Sequence, residues 1–138
     1  NVAVGYHYKV LDISDSQFDI VSSQVLDELP QEYIKNMKNV AIVMADEPDD
    51  NQRQKLKLRC HDTLFGLYEG IPLTRRGAGY NLVLPDKITL FKNPLMSVSH
   101  DIEDFTRNVK HTLWHEIAHH YGLDHDRIHE IERTRFKD

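Results

Sequence analysis

One cysteine in 138 residues, Cys60, cannot form an internal disulfide. That excludes a stapled secreted scaffold, makes a reducing compartment the expectation, and leaves Cys60 to packing or to the surface. The sequence also lacks any apolar run near the roughly 20 residues that a membrane span requires. Its opening, NVAVGYHYKV, has no charged segment followed by a long apolar one, so a cytoplasmic location without a membrane partner is expected. There is no basic excess: 17 Lys and Arg stand against 22 Asp and Glu, for a formal net charge of -5. A chain of that balance has no general attraction for nucleic acid or anionic lipid. Internal repeats, low-complexity tracts and linkers are absent as well. The length suits one domain spanning residues 1–138 and leaves little room for a second.

What is present is the composition of a globular protein, 40% hydrophobic and 28% charged. Val2, Val4, Tyr6, Tyr8 and Val10 alternate as in a half-buried strand. Ser14 with Gln17 forms a capping-box pattern, and Phe18, Val21, Val25, Leu26 and Leu29 then recur at helical spacing until Pro30. A short helix is expected over 31–38, and the apolar run 40–45 reads as a buried strand. The acidic stretch 46–50 contains Pro48 and lacks the spacing of a cation loop, so it reads as solvated loop. Arg53, Lys55, Lys57 and Arg59 read as an exposed basic face, because no aromatic residues are interleaved for nucleic-acid stacking. Strand-like pieces lie at 64–68, 80–84 and 87–91, separated by turn residues. The loop 75–79 carries two glycines but no P-loop lysine and hydroxyl behind them, so it is not a phosphate cradle. From about Asp101 the period is helical again, with Ile102, Phe105, Val109, Leu113 and Ile117 on one stripe. Helix and sheet are therefore mixed.

The chemistry is concentrated at residues 115–125, HEIAHHYGLDH. On a helix, His115 and His119 project from one face a turn apart, so two imidazole nitrogens can share one zinc. Leu113, Trp114, Ile117, Ala118 and Tyr121 span an apolar arc on the other side, which turns both histidines toward a cleft. Glu116 lies about 60° round from His119, close enough to serve as a general base without being a ligand. Gly122 can adopt the left-handed conformation that ends a helix, which brings His125 back toward the metal as third ligand. HExxH alone is a weak signal; the added glycine and histidine at these spacings make it a specific one. One zinc per chain is expected, held by His115, His119 and His125, with Glu116 catalytic. His120 points elsewhere and reads as a structural histidine. His7, His61, His100, His111 and His129 share no ligand spacing and read as surface or packing residues. Asp124 reads as the N-cap of a last helix containing Ile128 and Ile131.

Beyond this motif, residues from about 14 to 132 resemble the small bacterial zincin-like metallopeptidases. The resemblance includes LDELP at 26–30, NVAIV at 39–43, GLYEGIPL at 66–73 and LPDKITLF at 84–91; residues 1–13 lie outside it. It implies an α+β fold, a minimal zincin-like domain in which a small mixed sheet packs on helices and the zinc-binding HExxH helix lies near the C-terminus. It implies the same His115 and His119 as ligands and Glu116 as base. Members of this group often carry an acidic residue where this chain has His125. Three histidines suggest a metzincin, but no methionine follows Asp126 to make a methionine turn.

A zinc-bound water activated by Glu116 would then hydrolyse a peptide bond in a peptide or protein substrate. A second donor to the oxyanion is expected, with Tyr68, Tyr80, Tyr121, Arg75 and Arg76 as candidates. An extended substrate could pair with an edge strand supplied by 66–70 or 84–91. Two other functions remain open. One is a metal-dependent endoribonuclease of the ribosomal RNA maturation type, which has a similar string ending Gly-x-Asp-His but usually lacks glutamate after the first histidine. The other is a non-catalytic zinc-binding module, against which the retention of Glu116 weighs.

Overall fold

The computed structural model describes residues 11–58, 64–75 and 85–136. The strand expected at 2–10, the pieces at 59–63 that include Cys60 and His61, and the expected strand 80–84 lie outside them, as does His7. Ten elements occur among the described residues: α1 (Asp15–Glu28), α2 (Gln31–Lys35), β1 (Val40–Ala45), α3 (Asp50–Leu58), β2 (Gly66–Glu69), a 3-10 turn (Leu73–Arg75), β3 (Asp86–Phe91), α4 (Lys92–Ser97), α5 (Ile102–Tyr121) and α6 (His125–Arg135). The protein is thus α+β, as expected.

Local chemistry sets most of these boundaries. Ser14 accepts from the Gln17 N–H while the Gln17 side chain accepts from the Ser14 N–H, the reciprocal box that starts α1. Asp49 and Gln52 make the same exchange, at 2.7 and 3.0 Å, ahead of α3. The acidic stretch 46–50 is therefore not wholly loop: Asp49 caps α3, Asp50 begins it, and Arg53, Lys55 and Lys57 lie on that helix, while Arg59 lies outside the described residues. Asp101 caps α5 by accepting from the Asp104 N–H.

β3 is the central strand of three, parallel to β1 and antiparallel to β2, in the order β1-β3-β2. Two expectations change accordingly. The apolar run 40–45 is an outer strand, half-buried, with Val43 39% exposed, because among the described residues it has a neighbour on one side only. Of the expected edge 84–91, β3 (Asp86–Phe91) cannot be free, because it is paired on both sides; among the described residues β2 lies at that side of the sheet. One face of the sheet meets α1 and α5 over a core that includes Phe18, Val25, Ile88, Leu90, Phe105, Leu113 and Trp114. On the other face Leu56 of α3 joins Leu67 and Phe91 in a smaller cluster. Phe18 meets Phe105 edge to face, and Tyr33 meets Trp114 likewise. These contacts hold α1 and α2 against α5.

Candidate metal centre and catalytic site

Three stripes of α5 determine the site. Phe105, Val109, Leu113 and Ile117 are buried in the core. Thr112, Glu116 and His120, spaced i, i+4 and i+8, form a second stripe that is also buried. His111, His115 and His119 form a third, more open one. The buried polar stripe is explained by β2, which runs against it. Two strand residues advance about 6.7 Å and four helical residues about 6 Å, so alternate residues of β2 keep step with successive turns of α5. At the first step a Cβ on Gly66 would lie 2.6 Å from Thr112 Cγ2 and 3.2 Å from the Thr89 carbonyl oxygen, so only glycine allows the strand so close. At the second step the Tyr68 N–H donates to Glu116 Oε1 at 2.8 Å. Further along, the Tyr68 hydroxyl donates to Asp86 Oδ2 at 2.6 Å, and His120 Nδ1 is 3.0 Å from the same oxygen.

The Tyr68 N–H is available to Glu116 because of the pairing alternation. Phe65 C=O accepts from Phe91 N–H, so odd residues of this strand face β3 and even ones face outward. Glu116 is 1% exposed. Its Oε1 is fixed by the edge strand, and its Oε2 is buried without a hydrogen-bond partner. A buried carboxylate oxygen without a partner is costly unless it serves a purpose.

His115 and His119 are half-buried, with ring centroids 4.5 Å apart. Nitrogens of these two rings and a carboxylate oxygen of Glu116 lie within 4.8 Å of one another. α5 ends at Gly122, whose φ of 72° is the left-handed conformation expected there. Thr74 occupies the space into which a side chain at Gly122 would project. The turn delivers His125 as the first residue of α6, its ring 5.8 Å from that of His115 and 6.5 Å from that of His119. His125 thus stands at the cluster but farther out than the first pair. Asp124 is the N-cap of α6, its carboxylate accepting from Arg127 N–H at 2.8 Å. Imidazole nitrogens at this spacing, beside a carboxylate with a free oxygen, are a donor set that fits zinc.

Other residues singled out by the sequence fall into place differently. His120 is buried on Asp86, the structural role expected of it. The Tyr68 hydroxyl is committed to Asp86, and that of Tyr121 donates to the Tyr33 carbonyl at 2.5 Å. Burial also pushes the Tyr121 phenol pKa up. Both hydroxyls are thus engaged within the protein. Tyr80, Arg76 and the side chain of Arg75 lie outside the described residues.

His111 and His129 are exposed, the surface position expected of them. They share no spacing in sequence, yet both reach Glu132: His111 Nδ1 lies 3.0 Å from Oε2 and His129 Nδ1 lies 3.4 Å from Oε1. His129 and Glu132 are i, i+3 neighbours on α6, whereas His111 reaches Glu132 because α6 folds back along α5, a tertiary relation that no spacing within one helix reveals. The three residues line a cavity of about 260 Å³ whose wall also includes His115 and Glu116.

Residues 37–135 match the family described as zincin-like metallopeptidase. None of the curated proteins matches the chain significantly. No helix among the described residues is long and apolar enough to cross a membrane.

Proposed function

From the premise that the chain belongs to the zincin-like metallopeptidase family, we propose that it is a zinc-dependent peptidase in which Glu116 is the general base. The observation that carries this reading is the state of the Glu116 carboxylate. One oxygen is held at 2.8 Å by a backbone N–H, and the other is buried without a partner beside two imidazoles.

His115, His119 and His125 would hold the zinc. Bound there, the metal supplies Lewis acidity, which polarises a scissile carbonyl and makes water acidic enough to attack near neutral pH. The rest is the work of the chain. Glu116 Oε2 is the atom available to take the proton of the attacking water, because Oε1 is occupied by Tyr68. The same oxygen can return that proton to the departing amine. The Tyr68 N–H prevents the carboxylate from rotating away during this exchange. Asp86 and His120 act at one remove, by anchoring the Tyr68 side chain and hence the strand that carries its N–H.

The reading is tested by metal analysis of protein purified without chelator, together with incubation against a diverse peptide pool read by mass spectrometry. One zinc per chain and new peptide termini are expected, the latter lost on chelation. Acid-soluble nucleotides released from RNA, with the peptide pool intact, would favour the ribonuclease alternative instead.

A further inference from the structure

The cavity beside the metal centre has a chemistry of its own. It is a groove between two antiparallel helices. On α5 its wall descends from His115 through Thr112 and His111 to Asn108; on α6 it is formed by His129 and Glu132; Phe65 contributes an apolar side. His111 lies one turn, about 6 Å along the axis, from His115. Glu132 lies opposite His111. The groove therefore begins at the candidate metal ligands and has a carboxylate about one helical turn away.

Glu132 keeps its capacity to bind there. A carboxylate offers about four lone-pair sites, and the two imidazoles that approach Glu132 engage one each at most. His111 Nδ1 lies 3.0 Å from Glu132 Oε2. The Glu132 side chain is 23% exposed, less than those of His111 at 44% and His129 at 61%. It is thus recessed between two rings. Among the described residues no lysine or arginine lines the cavity, and its carboxylates are Glu116 and Glu132. Glu132 lies about one helical turn beyond the candidate metal ligands, so its carboxylate offers a cationic ligand group a partner at the end of the groove away from the metal.

We infer that this groove is a substrate subsite for a lysine or arginine side chain adjacent to the scissile bond, with Glu132 as the residue that selects it. The inference rests on the peptidase reading of the neighbouring centre. The methylenes lie along Phe65 and Thr112, as long cationic side chains do on apolar surface. The ammonium or guanidinium reaches Glu132, where a charge-assisted hydrogen bond forms. His111 and His129 orient the carboxylate from its two sides.

The test compares N-acetyl-lysine methylamide with N-acetyl-norleucine methylamide, which has the same carbon chain without the ammonium; acetylation removes the alternative of a free amino terminus. Each is titrated into the zinc-loaded protein while the imidazole resonances of His111 and His129 are followed by NMR. Lysine is expected to bind about 10-fold more tightly, the factor of one charge-assisted contact at a partly exposed site. In Glu132→Gln, which preserves shape and an acceptor, the gap should shrink to about 2-fold or less with zinc content unchanged. Equal binding of the two probes to the native protein, or a gap that survives in Glu132→Gln, overturns the assignment. A peptide pool separates the two readings. Lysine discrimination without any cleavage sinks the peptidase reading, and with it the groove's place beside a scissile bond, and leaves Glu132 as a lysine-binding group. Cleavage with no preference for basic residues at any position near the cut sinks the subsite and leaves the peptidase standing.

Discussion

The backbone N–H of Tyr68 donates to Oε1 of Glu116 at 2.8 Å, so the orientation of the proposed base is set by the outer strand of the sheet. This has a direct consequence for Glu116→Gln. A glutamine keeps an acceptor for Tyr68 and the same shape, so the fold and the metal should be retained. It cannot take a proton, so peptide hydrolysis should fall by about 100-fold or more. Parallel metal analysis and turnover assays decide this. Wild-type rates in the variant would remove Glu116 from the mechanism.

The close approach of β2 predicts a paired effect at Gly66. An alanine there meets Thr112 Cγ2 at 2.6 Å, so either the strand or the helix must yield, at a cost of about 1–3 kcal/mol. Any retreat of the strand carries the Tyr68 N–H away from Glu116, and turnover should drop along with the melting temperature. Thr112→Ser removes that methyl. The double variant should therefore recover part of both losses, a coupling that a thermodynamic cycle measures directly.

A similar argument separates the groups around Asp86. Its carboxylate receives the Tyr68 hydroxyl at 2.6 Å and lies 3.0 Å from His120 Nδ1, with all three side chains buried. Tyr68→Phe deletes one bond and leaves the Asp86 contact to His120, which should cost about 1 kcal/mol. Asp86→Ala removes the acceptor shared by the hydroxyl and the imidazole, and should cost about 2–4 kcal/mol. Chemical denaturation of the two variants should show that order; equal losses would mean that the cluster does not act through Asp86.

Much of this site is legible in sequence because it is local. The interval from His115 to His119, the intervening Glu116 and the helix-ending Gly122 all lie within a few residues, and helical geometry alone brings them to one face. The caps at Ser14 and Asp124 are legible for the same reason. Asp49 and Gln52 carried an equivalent signal, obscured by the run of acidic residues around it. What sequence does not convey is the set of partners brought by tertiary packing. Nothing in the spacing of Tyr68, Asp86 and His120 indicates that a strand keeps step with the polar stripe of α5. His111 likewise meets Glu132 only because α6 doubles back, although His129 and Glu132 are i, i+3 neighbours on that helix. The run 40–45 is as apolar as a central strand, and its place at the outside depends on which strands pair, not on its own composition.

Acid should loosen the tie between α6 and α2. Arg135 holds Glu32 through two bonds, at 2.7 and 3.1 Å, and this guanidinium contact lowers the Glu32 pKa from 4.5 to about 2. A carboxylate whose folded pKa is depressed contributes stability above its unfolded pKa and loses it as the pH falls through the folded one. The contribution of this pair should therefore be intact above about pH 4.5 and fade down toward pH 2. The ends are exposed, so the effect is small and should be screened by salt. In Glu32→Gln this part of the acid dependence should be missing from the stability curve. An unchanged curve between those pH values would show that the pair contributes nothing.

The third ligand gives the sharpest contrast between neighbouring residues. Asp124 is engaged as the cap of α6, accepting from Arg127 N–H at 2.8 Å, whereas the ring of His125 stands 5.8 Å from that of His115. A side chain used as a cap is turned toward the helix it starts, while the next residue, on the first turn, faces back over the end of α5. His125→Ala should therefore weaken zinc binding strongly, by 100-fold or more on the order of what loss of one direct ligand removes. Asp124→Ala should lower the melting temperature by the equivalent of about 1 kcal/mol and affect zinc affinity far less, because it acts only by loosening the helix that presents His125. Zinc affinity from competition with a chromogenic chelator, measured for both variants beside thermal unfolding, separates the two roles. If Asp124→Ala lost zinc while His125→Ala kept it, the carboxylate would be the ligand, and α6 would have to begin by another means.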